Sequence, residues 1–136
     1  ARDTFSKWDV VEVYGSATSS LAAKFLDTLM SRMPFMVNAI QIDGGSEFKG
    51  EFEKECQKRE IKLFVLPPRR PDLNGCVERS NRTHTEEFYE VNDFSLEIDE
   101  LNTQLKEWEK IYNTVRPHQA LQYLTPLEYI TQHKFI

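Results

Sequence analysis

The chain has 136 residues, 40% of them hydrophobic and 12% aromatic, with a formal net charge of −5. That is enough for one domain with a real core and too little for two. No apolar run approaches the roughly 18 residues of a membrane span, and Ala1-Arg2-Asp3-Thr4 lacks the basic-then-apolar profile of a signal peptide.

Residues 8–14 are β-branched and aromatic and predict a strand, with Asp9 and Glu12 as solvent-side acids. Gly15-Ser16 breaks it. Ser19 or Ser20 caps a helix running to about Met33, with Leu21, Phe25, Leu26 and Leu29 on one face. Residues 37–42 form a short strand ending at Asp43, and Gly44-Gly45-Ser46 is a tight turn in which paired glycines permit positive φ. Residues 47–59 are helical, with Phe48, Phe52 and Cys56 at four-residue spacing, and 61–66 are another strand. Three prolines make 67–75 a loop. Residues 76–89 are helical with Glu78 in the first turn, and 95–113 form a long acidic helix with Leu101, Leu105, Trp108 and Tyr112 facing a core. Arg116-Pro117-His118 ends it, and Thr125-Pro126 opens a last helix to about His133. This order of elements predicts an α/β domain with a mixed sheet flanked by helices.

The net acidity hides an asymmetry. Residues 58–85 carry seven bases against three acids, and 86–109 carry nine acids against one base. This suits one polyanion-facing side, and equally solvated helix faces of opposite sign. Cys56 and Cys76 lack metal-ligand spacing and read as reduced thiols. The candidate chemistry lies in two carboxylates. Asp43 ends a strand, at the edge where α/β sheets hold ligands, and is either a metal ligand or an Asx-turn residue ahead of glycines. Glu78 is either a metal ligand or a first-turn acid favoured by the helix dipole. Phosphoryl transfer needs hard oxygen ligands for Mg²⁺ or Mn²⁺ on separate rigid elements, which such a pair supplies.

Four ordered segments carry a family resemblance. Ile42-Asp43-Gly44-Gly45-Ser46-Glu47-Phe48 resembles the T-D-N-G-S-E-F segment of retroviral integrases and bacterial insertion-sequence transposases. Pro71-Asp72-Leu73-Asn74-Gly75-Cys76-Val77-Glu78-Arg79 resembles the P-x-x-N-G-x-V-E-R segment around their last acidic residue. Tyr112-Asn113-Thr114-Val115-Arg116-Pro117-His118, followed by Thr125-Pro126, is similar to the Y-N-x-x-R-P-H ending of the bacterial members, and Asp3-Thr4-Phe5-Ser6-Lys7 to their D-x-F-S-R turn. The resemblance implies a ribonuclease H-like catalytic core spanning 1–136 (body 1–110, tail 111–136) in a bacterial cytoplasmic DDE transposase. It also implies Mg²⁺ or Mn²⁺ at a D, D, E triad, in which Asp43 matches the second Asp and Glu78 the Glu. The implied chemistry is nicking at an element end and strand transfer into target DNA, with homo-oligomers assembling on double-stranded DNA. Gly44 departs from the family's more usual Asn.

A larger departure concerns the first aspartate, which lies on the family's first strand, ahead of the D-x-F-S turn. No residue here matches it, so that strand is expected to be missing and this chain to be inactive alone. Lys62, Arg69, Arg70, Arg79 and Arg82 are expected to meet DNA phosphates, with Asn74 and Gly75 shaping the loop-to-helix entry. His84 reads as a surface or packing residue, and His118 as an organiser of the tail. Two other readings remain: a ribonuclease H-like nuclease, and a non-catalytic remnant acting as a DNA-binding or assembly module.

Overall fold

The computed structural model describes residues 1–67 and 75–133. They form two compact units, Tyr14–Gly75 and the pairing of Ala1–Val13 with Cys76–Ile136. Among the described residues no helix is long and apolar enough to cross a membrane.

The first unit begins with α1 (Ser19–Arg32), which buries Ala23, Leu26 and Leu29, three residues apart along one stripe. Its cap is Thr18, one residue earlier than expected, whose hydroxyl accepts the Leu21 amide. Ser19 instead serves the next helix: its hydroxyl accepts the Phe52 amide at 3.1 Å and donates to the Lys49 carbonyl. Strand β1 (Ala39–Ile42) pairs in parallel with β2 (Lys62–Val65), with Ala39 opposite Lys62 and Ile42 opposite Val65. Parallel pairing demands a crossover. Here it is a 3₁₀ turn, Ser46–Phe48, and helix α2 (Glu51–Lys58), so the expected continuous helix over 47–59 is broken. The cause is Gly50, at φ +63°, a conformation that favours glycine. Phe52 and Cys56 are buried beyond the break.

The second unit contains residues 8–13 of the strand expected at 8–14, but this segment is extended chain rather than part of a sheet. It bonds to Ala1–Asp3 through a single antiparallel bridge, Arg2 to Asp9, across a turn in which the Asp3 carboxylate accepts the Ser6 amide and hydroxyl. Its other edge is satisfied by a helix. The amides of Asp9, Val11 and Val13 donate to side-chain oxygens of Asn113, Glu109 and Asn102, at 2.8, 2.7 and 2.7 Å. Asn113 and Asn102 return a hydrogen bond from Nδ2 to the carbonyls of Asp9 and Val13. Alternate residues of an extended chain point their amides to one side, and acceptors spaced seven and four residues apart share a helix face. Helix side chains thus stand where a neighbouring strand would.

That helix is α4 (Ile98–Thr114), which starts three residues later than expected, with Glu97 as its cap. Helix α3 (Gly75–His84) continues into a π-turn, Thr85–Tyr89, that turns Phe88 into the core with Leu101 and Leu105. In the tail His118 and Leu124 form an antiparallel bridge. Thr125 then caps α5 (Pro126–Gln132), with Pro126 at the start where its missing N–H costs nothing.

Candidate metal-binding carboxylates and nucleic-acid interface

Asp43 and Lys62 belong to one unit, and Glu78, Arg79 and Arg82 to the other. Asp43 follows β1 and is exposed. Its Oδ1 accepts the Gly45 amide at 2.9 Å, an Asx turn that restrains the carboxylate. The turn does not use positive φ: Gly45 sits at φ −60°, and Gly50 is the one described glycine in that region, so the expectation for Gly44-Gly45 is corrected. Both earlier readings of Asp43 are therefore compatible, since an Asx bond occupies one oxygen only. Lys62 is exposed at the start of β2.

Glu78 lies in the first turn of α3, exposed, with Arg79 and Arg82 also exposed on that helix. Gly75 opens the helix, while Arg69, Arg70 and Asn74 lie outside the described residues. Hard oxygens on exposed, ordered backbone suit a divalent ion. Among the described residues, however, no three metal-ligating side chains gather.

Partly lined by the Glu78 helix, within the same unit, is a cleft of about 820 Å³ whose lining includes Arg2, Lys7, Arg79, Tyr112, Arg116 and His118. Two of its cations already hold carboxylates. Arg2 grips Asp9 with Nε at 2.8 Å and Nη2 at 3.1 Å; Arg116 grips Glu87 through Nε and Nη2 at 2.6 and 2.5 Å, which holds the Glu87 carboxyl below its usual range. Lys7 donates to the Thr4 carbonyl and reaches the Cys76 sulfur at 3.9 Å. Lys7 and Arg79 remain the cations without a described carboxylate partner. His118 Nε2 donates to the Tyr112 carbonyl at 3.1 Å, and burial, then the charges of Arg116 and Arg2, lower its pKa to about 4. Lys7 and Arg116, which lie in the Phe-Ser-Lys and Arg-Pro-His segments, were not singled out from the sequence as lining a cleft.

Asp9 is the clearest correction. It is not a solvent-side acid but 1% exposed. Burial pushes its carboxyl up, yet hydrogen bonds from His84, Arg2 and Ser80 outweigh that and hold it below the usual range. His84 is likewise buried, bonded to Asp9 and to the Trp108 indole.

A family model for the integrase core domain matches residues 59–126. The chain belongs to the integrase core domain family. The matched half contains Glu78, Arg79, Arg82 and the Arg-Pro-His tail, and leaves Asp43 outside. The chain is 27% identical over 134 residues to the insertion element IS407 uncharacterized 31.7 kDa protein of Burkholderia multivorans, covering 97% of this chain and 48% of that protein. It thus spans about half the length of that curated relative. Its fold is that of integrase catalytic cores. The catalytic core domain of BIV integrase superposes with a TM-score of 0.75 at 20% identity, over 98% of this chain and 84% of that one. The HTLV-2 integrase catalytic core domain, in complex with magnesium in a trimeric form, gives 0.71 at 19% identity, over 94% and 80%.

Proposed function

We propose that this chain is the core of a DNA transposase that nicks the ends of a mobile element and joins them to target DNA. The observation that carries the reading is the ordered set of four motif segments in a chain that belongs to the integrase core domain family. In this reading Asp43 and Glu78 are metal ligands and catalytic carboxylates. Lys62, Arg69, Arg70, Asn74, Gly75, Arg79 and Arg82 contact double-stranded DNA, and the protein assembles as a homo-oligomer on it.

A divalent ion, Mg²⁺ or Mn²⁺, supplies Lewis acidity toward phosphoryl oxygens and an activated hydroxyl. The magnesium and the trimeric form of the HTLV-2 core support this by analogy. The chain's own part is to present the carboxylate oxygens. The Asx bond from the Gly45 amide restrains Asp43, and the first turn of α3 displays Glu78 to solvent. In this reading Asp43 and Glu78 supply two of the family's three acidic ligands.

The test is Mn²⁺-dependent nicking of labelled element-end duplex by the natural full-length protein. Activity that disappears in Asp43→Asn and in Glu78→Gln supports the reading. The absence of nicking at every Mn²⁺ concentration, with DNA binding retained, favours a non-catalytic DNA-binding or assembly module instead.

A further inference from the structure

Glu78 can serve as a ligand only if α3 is held at a fixed rotation about its own axis. Ser80 and His84, four residues apart, share one face of that helix and are 6% and 7% exposed. Both converge on one acceptor: Asp9 Oδ2 receives the Ser80 hydroxyl at 2.6 Å and His84 Nε2 at 2.8 Å. Arg2 clamps both oxygens of the same carboxylate, Nε to Oδ1 at 2.8 Å and Nη2 to Oδ2 at 3.1 Å. From α4 the Trp108 indole reaches His84 Nδ1 at 2.8 Å.

The chemistry of the indole fixes the proton. Indole Nε1–H only donates, so His84 Nδ1 must accept and carries no hydrogen. Its Nε2 therefore bears the hydrogen that Asp9 receives. Ser80 also donates to Asp9, so the 3.2 Å approach of Ser80 Oγ to His84 Nε2 brings together two donors that share an acceptor. Despite its Ser, His and Asp membership this is not a nucleophile with its base, which would need a free imidazole lone pair facing the hydroxyl.

We propose that Asp9, Ser80, His84 and Trp108 are positioning residues for Glu78, locking the rotation of α3 so that the carboxylate is presented as a metal ligand. Glu78 is two residues before Ser80, about 200° around the helix, and is exposed while Ser80 is buried. The anchored face and the displayed carboxylate are thus opposite sides of one rigid cylinder. A side-chain tip lies about 5–6 Å from the axis, so a 20° rotation moves it by roughly 2 Å. Productive sites tolerate about 0.5 Å. Two short hydrogen bonds to one clamped carboxylate, with a third from α4, remove that freedom.

This inference rests on the reading of Glu78 as a metal ligand, and the experiment separates the two. Mn²⁺ binding to the full chain is measured by calorimetry for wild type, Glu78→Gln, Ser80→Ala, His84→Leu and His84→Gln, with thermal melts alongside. Glutamine supplies a donor nitrogen and an acceptor oxygen, the two functions that the neutral imidazole provides here. Outer partners that orient ligands are typically worth about 10- to 100-fold in metal affinity. The expected result is a roughly 10-fold weaker Kd in Ser80→Ala and His84→Leu, still cooperatively folded, with His84→Gln restored to within about 3-fold. Nitrogen NMR of the wild-type imidazole should show the Nε2–H tautomer. Affinities within twofold of wild type in both disrupting variants, or no rescue by glutamine, overturn the positioning role while leaving Glu78→Gln impaired. If Glu78→Gln itself binds as wild type does, the ligand reading fails, and the positioning role with it. Should His84→Leu not fold, Ser80→Ala, which deletes one hydrogen bond only, decides.

Discussion

Replacing Asn113 by alanine tests whether α4 stands in for a strand. The Asn113 side chain is 1% exposed, and its amide both accepts from the Asp9 amide and donates to the Asp9 carbonyl, each at 2.8 Å. Asn113→Ala removes both partners and leaves two buried backbone groups unsatisfied. Each such group costs about 1–3 kcal/mol, so the loss should be about 4 kcal/mol, a large part of the stability of a small domain. Asn102→Ala removes the same two-point pairing with Val13 at a half-buried position, where water can substitute, and should cost about 1 kcal/mol. Asn113→Asp keeps the shape and the acceptor but loses the donor and sets a second carboxylate beside Asp9. Its loss should be at least as large at neutral pH and should shrink as acid protonates the introduced carboxyl into a donor. Urea unfolding followed by tryptophan fluorescence measures all three. A loss below about 1 kcal/mol for Asn113→Ala, or an equal loss for the two alanine variants, would refute the reasoning.

Two further outcomes follow from the charges. His118 is neutral in the fold, with a pKa of about 4 against an ordinary 6.5. As pH falls, the unfolded chain takes the proton first, so the stability His118 contributes is whole above about pH 6.5 and is lost between there and pH 4. Discounted for solvent screening, that loss is about 2 kcal/mol. It should vanish from the pH dependence of His118→Gln, and an unchanged slope between pH 4 and 6.5 would contradict it. In titrations with duplex oligonucleotides, Arg79→Ala/Arg82→Ala and Arg69→Ala/Arg70→Ala should each weaken binding whatever the sequence, and should reduce the salt slope by about one to two. An unchanged affinity and slope would remove that pair from the interface.

The elements governed by local chemistry were legible in the sequence. Thr125-Pro126 announces a helix start, because proline at the first position needs no partner for its nitrogen. The apolar run ahead of Asp43 ends where β1 ends. Gly50 was also a local signal, though the four-residue spacing of Phe48, Phe52 and Cys56 hid it; the last two are in α2 and Phe48 is not. What escaped depends on residues far apart in the chain. Asp9 looks like a strand's outward acid, since the residues that make its burial tolerable, Ser80 and His84, lie more than 70 positions away. The strand at 8–14 fails to join a sheet for a similar reason: its partners are helix side chains near the other end of the sequence. For the proposed site, Asp43 and Glu78 are singled out by their flanking residues alone, whereas the basic cleft lined by Lys7, Arg79 and Arg116 appears only when the turn and the tail come together in one unit.

Calorimetric titration of the full chain with Mn²⁺, comparing wild type with Asp43→Asn and Glu78→Gln, addresses the central claim most directly. Binding by the wild type that weakens at least about tenfold in each variant, with melting unchanged, is the predicted result. Equal affinity in all three proteins would contradict the assignment of these carboxylates as the metal-binding pair.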